Sequence, residues 1–340
     1  MSVKLSFILP IYNVAHYLQA CLDSIYAQGV DEGDFEVICV NDCSPDNSRE
    51  IVLDYQRKYS NILLVEHLNN RGLSAARNTG VSRATGKYIW FVDSDDVLPN
   101  FVLDSLFKKA NQDKLDVLLF NYQDISDSGD LIKKNMVFKN TQVTDGVSFI
   151  KNIWGDGFVY HMGYVWRCIY SREYIAENSM SFPEGKYWED TVYFPKAIML
   201  AQRVASTTIV GYSYRNNKNS ISVGRSKSLN AKKIYDYCIS ASIDLLMFSK
   251  EISTNNLEYA YRIEKFAKDK YLNTLLLKLL YTSPKEMYKF ASLCKKNTLI
   301  DVKSYANGMT KVILFFPYTL ITMTVLFLQP LWKIYKLLVN

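Results

Sequence analysis

A chain of 340 residues, 49% hydrophobic and 22% charged, can hold one large domain plus an extension, and this composition excludes a disordered or low-complexity protein. The net charge of +6 is unevenly placed: from residue 225 onward, 18 Lys and Arg stand against 8 Asp and Glu, so the back of the chain is basic and the front slightly acidic. None of the six cysteines forms a Cys-x-x-Cys pair, which argues against a disulfide framework or a zinc ribbon and suits reduced thiols in a cytosolic protein.

The N-terminus leads directly into an apolar run, Leu5 to Pro10, without a signal peptide, and this run is predicted as the first strand. Ala15 to Gln28 spaces Leu18, Cys21, Leu22 and Ile25 at helical intervals and stops at Gly29. Phe35 to Val40 reads as the second strand, ending in a polar turn, Asn41 to Asp46, that leads into a helix through Tyr59. Ile62 to Val65 reads as a strand, Leu73 to Ala84 as a helix, Tyr88 to Val92 as a strand, Phe101 to Asn111 as a helix and Asp116 to Tyr122 as a strand. Strands alternating with helices through short loops predict an α/β fold: a Rossmann-like, mostly parallel sheet flanked by helices. Right-handed crossovers would then bring every strand's carboxyl end to one edge, with Tyr12, Asp42, Arg71 to Asn78 and Asp93 to Asp96 emerging together.

Asp93-Ser94-Asp95-Asp96 closes the apolar run Tyr88 to Val92. Three acids within four residues repel one another unless a cation sits among them, and hard carboxylate oxygens suit Mg²⁺ or Mn²⁺ carrying a polyphosphate. The bland alternative is an acidic turn capping the next helix. Neither Gly-x-Gly-x-x-Gly after the first strand nor Gly-x-x-x-x-Gly-Lys-[Ser/Thr] occurs, so phosphate would be held through a metal and side chains, not a glycine cradle. Farther on, Val165 to Tyr170 and Val204 to Val210 read as strands, and Arg172 to Glu177 and Glu189 to Gln202 as helices.

Five segments carry a resemblance: Phe7 to Asn13, Val40 to Asp46, Asn70 to Gly80, Phe91 to Asp96, and Trp188-Glu189-Asp190-Thr191. In this order, across residues 4 to about 222, they resemble the family 2 glycosyltransferases of the GT-A fold. The resemblance implies an inverting, metal-dependent transferase moving a sugar from a nucleotide-sugar donor, a UDP-sugar foremost, to a glycan hydroxyl. By position it implies that Tyr12 stacks on the base, Pro10 shapes that pocket and Asp42 accepts from the base. It places Arg77 near the base or phosphates, supported by Asn70 and Asn78. Asp95 would bind Mn²⁺ or Mg²⁺ directly, and Asp93 the metal shell or ribose. Asp190 would be the catalytic base with Glu189 beside it, its basicity lowered by the helix dipole and restored by desolvation under Tyr187 and Trp188. Arg215 either closes a loop over the diphosphate or is a solvated loop arginine. His161 and Trp166 would shape the acceptor side, with core packing the alternative for Trp166; His16 and His67 read as structural.

The expected division is a catalytic domain over 1–222, an amphipathic helical extension over 223–310 and an apolar membrane-associating segment over 311–340. Val312 to Trp332 carries no charge and as a helix would be about 32 Å long, enough to cross the hydrocarbon. Pro317, Pro330 and the trailing lysines favour a re-entrant or interfacial hairpin over a single span. Upstream lysines interleaved with Leu, Phe and Tyr suit anionic lipid better than nucleic acid, which places the chain at the cytoplasmic face of the membrane, peripheral, monotopic or single-span, with a lipid-linked glycan as acceptor and a homo-oligomer open. Two rival classes remain from sequence: a catalytically inactive membrane-bound scaffold with the same fold, and a nucleotidyltransferase, which also clusters carboxylates at a sheet edge.

Overall fold

Every side chain of β1 (Leu5–Ile11) is buried, which requires a strand with neighbours on both sides and layers above and below. In the computed structural model, which describes residues 3–154, 163–186, 189–217, 231–254 and 257–267, β1 pairs in parallel with β2 (Phe35–Asn41) and β4 (Tyr88–Phe91). β2 pairs in parallel with β3 (Ile62–Glu66). Beyond β4 the sheet continues through β7 (Cys168–Ser171), β5 (Val117–Ile125) and β6 (Leu131–Asn135), giving the order β3-β2-β1-β4-β7-β5-β6, with β8 (Val204–Arg215) also on β5. Helices α1 (Ala15–Tyr26), α2 (Ser48–Lys58), α3 (Leu73–Arg83) and α4 (Leu103–Gln112) alternate with the first strands as their apolar periodicity requires.

The sheet is mixed. Parallel ladders join β1–β2, β2–β3, β1–β4 and β5–β8, while β4–β7, β5–β7 and β5–β6 are antiparallel. The expectation that every strand points its carboxyl end to one edge is therefore corrected: β6 and β7 run the other way. β6 returns from β5 through a tight turn, and β7 follows the 3-10 turn Val165–Arg167, which replaces the first half of the strand expected at Val165 to Tyr170. β8 runs five residues past the expected Val210, carrying Tyr212 and Arg215 to the edge where β4 ends. The middle of the chain adds α5 (Gly146–Trp154), α6 (Arg172–Glu177) and α7 (Asp190–Met199). β6 and α5 had no counterpart among the predicted elements, although Asp145 accepts from the Ser148 N–H in the manner of an N-terminal cap.

One proline shows where the sheet opens. Pro10 lies in a strand paired on both sides, yet it has no N–H to give. The β1–β4 register ends at Ile8 and Phe91, and the last backbone bond runs from Val92 N–H to Ile8 O. Past that point β4 leaves the ladder, and the Pro10 carbonyl accepts from Ser94 Oγ at 2.8 Å. The missing donor thus faces the gap between β1 and β4. Strand order reverses direction there, which makes this gap the switch-point crevice of an open α/β sheet.

The chain divides into two compact units, Met1–Ser228 and Leu229–Asn340. In the second, α8 (Ala231–Ile252) and α9 (Leu257–Phe266) pack together, burying Leu245 and Ile263, and Ser249 Oγ donates to Ala260 O at 2.6 Å. Among the described residues no helix is long and apolar enough to cross a membrane. The apolar segment Val312 to Trp332 lies outside the described residues.

α3 sits unusually close to β1 because Gly80 faces Ile8: a Cβ at Gly80 would lie 2.3 Å from Ile8 Cγ2. Gly80→Ala should therefore destabilise the fold by about 1–3 kcal/mol through overpacking. A lowered urea midpoint with an unchanged m-value is the expected result, and an unchanged midpoint would show that α3 can lift off the sheet freely.

Candidate active site

The crevice wall begins where β1 and β2 end. Tyr12 stands at the rim with 49% of its surface exposed, and Asn13, in the left-handed region, donates its N–H to Ser44 Oγ at 2.8 Å. Asp46 accepts from Ala15 N–H and from Ser44 Oγ, so the two turns after β1 and β2 are tied together and present Tyr12 as a fixed, open ring face.

Asp42 is buried, and its carboxylate accepts from Arg71 N–H (2.8 Å), Gly72 N–H (2.7 Å) and His67 Nδ1 (2.6 Å). Gly72, at φ +86°, adopts a conformation that a side chain would strain, and it opens α3. Asp42 therefore anchors the start of α3 to the end of β2, and any contact with a base would have to share these oxygens. His67, whose Nε2 meets Thr79 Oγ1 at 2.9 Å, is structural as expected. Asn70 is exposed at the same rim, beside Arg71, whose guanidinium reaches Glu184 at 3.2 Å. Asn78 bonds both the N–H and the carbonyl of Phe182 and so fixes the loop before α7.

Arg77 is the centre of the site, held within a cluster of carboxylates. It is 1% exposed, with Nη2 on Asp93 Oδ1 (2.7 Å) and Nη1 on both Glu189 Oε1 and Asp190 Oδ1 (2.8 Å each). Both terminal nitrogens are committed to carboxylates, and Nε has no partner among the described residues. The cause is the close packing of α3 on β1, which draws Arg77 below the rim between the end of β4 and the start of α7. Burial works against its charge, but Asp190, Asp93 and Glu189 outweigh it and raise the guanidinium's pKa. One positive charge cannot neutralise three acids. The Asp190 carboxyl is accordingly pushed up to about 8 by burial and by Glu189 and Asp93, with Arg77 and the Val165 N–H opposing. The helix dipole at the head of α7 loses to desolvation. Tyr187 and Trp188, expected to supply that desolvation, lie outside the described residues.

The acids after β4 divide in role. Asp96 is fully buried and accepts from Tyr212 Oη (2.8 Å) and from Arg215 N–H (2.7 Å), so it holds the turn. Burial and its acidic neighbours push its carboxyl well above the usual range. Tyr212 Oη also accepts the Asp93 N–H at 3.0 Å. Asp95 is raised to about 6 by burial and by Asp93, with Asn217 and Arg215 opposing. Arg215 is not a solvated loop arginine, which corrects that reading of it. It ends β8, is 6% exposed, and donates Nε to Asp95 O (2.9 Å) and Nη1 to Asp127 O (2.7 Å).

Asp93 and Asp95 remain partly open at the crevice, and the Asp93 charge adds to burial in raising the Asp95 carboxyl. Among the described residues no group of three or more His, Cys, Asp or Glu forms a ready metal cage. Two carboxylates, with the remaining ligands left to phosphate and water, fit Mg²⁺ or Mn²⁺ bound together with a polyphosphate. Trp166 is buried in a parallel stack with Tyr164 (4.8 Å), Tyr212 (4.4 Å) and Tyr214 (5.8 Å), so it belongs to the core; His161 lies outside the described residues. Sequence reasoning passed over Ser94, Tyr212 and Asn217 as functional positions. Their only signal was adjacency to Asp95 and Arg215.

Comparisons with known proteins bear on the family and the fold. The family model described as glycosyl transferase family 2 matches residues 6–175. The glycosyltransferase EpsJ of Bacillus subtilis is 35% identical over 222 residues, 64% of this chain and 62% of EpsJ. The poly(ribitol-phosphate) β-glucosyltransferase of Bacillus spizizenii is 30% identical over 214 residues, 62% of this chain and 32% of that one. The chain thus spans less than two thirds of the length of these relatives. The structure of S. aureus TarS 1–349 in complex with UDP-GlcNAc superposes with a TM-score of 0.71 at 20% identity, covering 95% of this chain and 89% of that one, which shows a shared fold.

Replacing Arg77 by Met should leave three carboxylates crowded and unpaired and cost about 3–5 kcal/mol of stability at neutral pH. The deficit should shrink as pH falls, because protonation removes the charges that the guanidinium offsets. Urea unfolding of both forms at several pH values measures this, and a deficit below about 1 kcal/mol would show that the cluster does not depend on Arg77.

Proposed function

The chain belongs to glycosyl transferase family 2, and on that premise we propose that it transfers a sugar, with inversion, from a UDP-sugar to a hydroxyl of a glycan acceptor. The observation that carries this reading is the convergence of Asp93 and Asp190 on Arg77 beside the β1–β4 crevice, with Asp95 two residues from Asp93. UDP as the nucleotide is supported by the complex of TarS with UDP-GlcNAc, a neighbour in fold.

In this mechanism the exposed face of Tyr12 receives the base, and the crevice past Pro10 receives the diphosphate. Asp95 and Asp93 would hold Mn²⁺ or Mg²⁺, which when bound offsets the negative charge that develops on the departing diphosphate. Asp190 takes the proton of the acceptor hydroxyl as its oxygen attacks the anomeric carbon. The new C–O bond forms on the face opposite the breaking C–O bond to the diphosphate, and the nucleoside diphosphate leaves with that electron pair. A carboxyl raised to about 8 is basic enough for this task near neutral pH, where an ordinary Asp would be a weak base. Glu189, held by Arg77, keeps Asp190 in place and raises its pKa, and so acts as a positioning residue. A lipid-linked acceptor at the cytoplasmic membrane face is the further reading, supported by the basic, apolar C-terminal sequence.

Calorimetry with UDP should show heat that depends on Mn²⁺, and Asp95→Asn should abolish that dependence. Equal UDP binding with and without Mn²⁺ would remove the metal from the mechanism. Asp190→Asn should leave UDP affinity near native while lowering turnover by about 10²–10⁴-fold. Because the base works deprotonated, the initial rate should climb from pH 6 and level off above about 8. A flat profile would show that Asp190 is not the titrating base.

A further inference from the structure

The outer edge of the sheet carries an arrangement that packing does not require. β6 ends the strand order, and its other side pairs with nothing among the described residues. Leu131 and Ile132, at the register shift in the β5–β6 ladder, are 54% and 57% exposed, and Met136 and Val137 just after it are 54% and 41% exposed. Among these apolar groups stand Lys133, Lys134 and Lys139, all exposed, and none makes an ion pair among the described residues. Asp124 stands across from Lys133 in the β5–β6 register and accepts from Asn135 Nδ2 (2.9 Å), and Asp130 accepts from Ser128 Oγ (2.7 Å). Exposed apolar side chains along an open edge would invite aggregation in a protein that kept this edge in water.

We propose that this β5–β6 hairpin edge is a docking surface for an anionic lipid bilayer. The apolar side chains enter the headgroup layer while the three lysines, on long flexible stems, meet anionic headgroups. Charge decides between this occupant and a second copy of the chain. Antiparallel pairing of two β6 edges about a twofold axis at the strand's centre, Lys133, would set Lys133 against Lys133 across the seam, whereas a bilayer carrying anionic lipid complements all three lysines.

The placement also serves the site. The turn before β6 is pinned at the crevice rim, because Arg215 Nη1 donates to Asp127 O and Tyr17 Oη donates to Asp127 Oδ1 (2.8 Å). Sheet order puts Tyr12 and the turn after β2 on one side of Asp95 and this hairpin on the other. A bilayer held by β6 therefore approaches the site from the side that the nucleotide does not use, as a lipid-linked acceptor requires. That benefit rests on the function proposed above; the docking itself does not.

The test is hydrogen–deuterium exchange of the full chain with vesicles of phosphatidylcholine alone or containing phosphatidylglycerol. Peptides covering 131–139 should exchange more slowly on the anionic vesicles only. Lys133→Glu/Lys134→Glu should lower the bound fraction about tenfold or more while leaving hydrolysis of the UDP-sugar donor unchanged. Unaltered exchange at 131–139 on vesicle-bound protein would overturn the proposal, since the chain would then be held elsewhere, for instance through 312–332. Slowing that depends on protein concentration without vesicles would also overturn it, in favour of a second copy. Protection of 131–139 in a chain that hydrolyses no donor would sink the catalytic reading and leave the docking surface standing.

Discussion

The site depends on one buried guanidinium. Arg77 joins the end of β4, through Asp93, to the head of α7, through Glu189 and Asp190, and these segments lie about a hundred residues apart in the chain. A buried ion pair is weak support for stability in itself, because desolvation consumes most of the Coulomb gain. Here the charge count is unbalanced, three acids on one base, and burial together with that imbalance raises the Asp190 carboxyl. A second buried arginine shows the contrast. Arg167 lies over the rings of Tyr122 and Phe138 with no carboxylate partner among the described residues, and burial lowers its pKa.

Around Arg77 the sheet is arranged to part where charge is needed. Pro10 ends the β1–β4 ladder at a residue that could not have continued it, and Ser94 and Asp96 spend their hydrogen bonds holding the turn that follows β4. With Asp96 committed to Tyr212 and Arg215, only Asp93 and Asp95 face the crevice. Burial and the neighbouring Asp93 charge raise the Asp95 carboxyl, so negative charge is concentrated where the sheet parts. The rigid supports for this geometry come from outside the usual α/β core: β8 from one direction, and the loop that Asn78 fixes from the other.

The first half of the fold was legible because strands and helices there are strictly local patterns. β1 to β5 and α1 to α4 follow apolar runs, helical spacing and Gly or Pro stops, and the α/β class with its flanking helices stands as predicted. β6, with its exposed Leu and Lys, has no alternation to announce it. The first three residues expected in β7 make a 3-10 turn, because Trp166 is drawn into a stack with Tyr164 and Tyr212. Both depend on partners distant in sequence, and no window of local periodicity contains them.

By itself the sequence determined the chemistry on offer: acids at the end of a buried strand, an open aromatic at the first turn and a second acidic pair at a helix start. Those follow from residue type and spacing, which the chain carries locally. Which acid meets which base was decided only by the tertiary structure. Arg77 proved to be the partner of three carboxylates, while Arg215, read as a loop residue in one alternative, proved to brace the Asp95–Asp96 turn from the end of a strand. The physical reason is the same for both. A charged side chain several bonds long can reach any of several neighbours, and burial against particular packing, here Gly80 on Ile8 and β8 on β5, selects one.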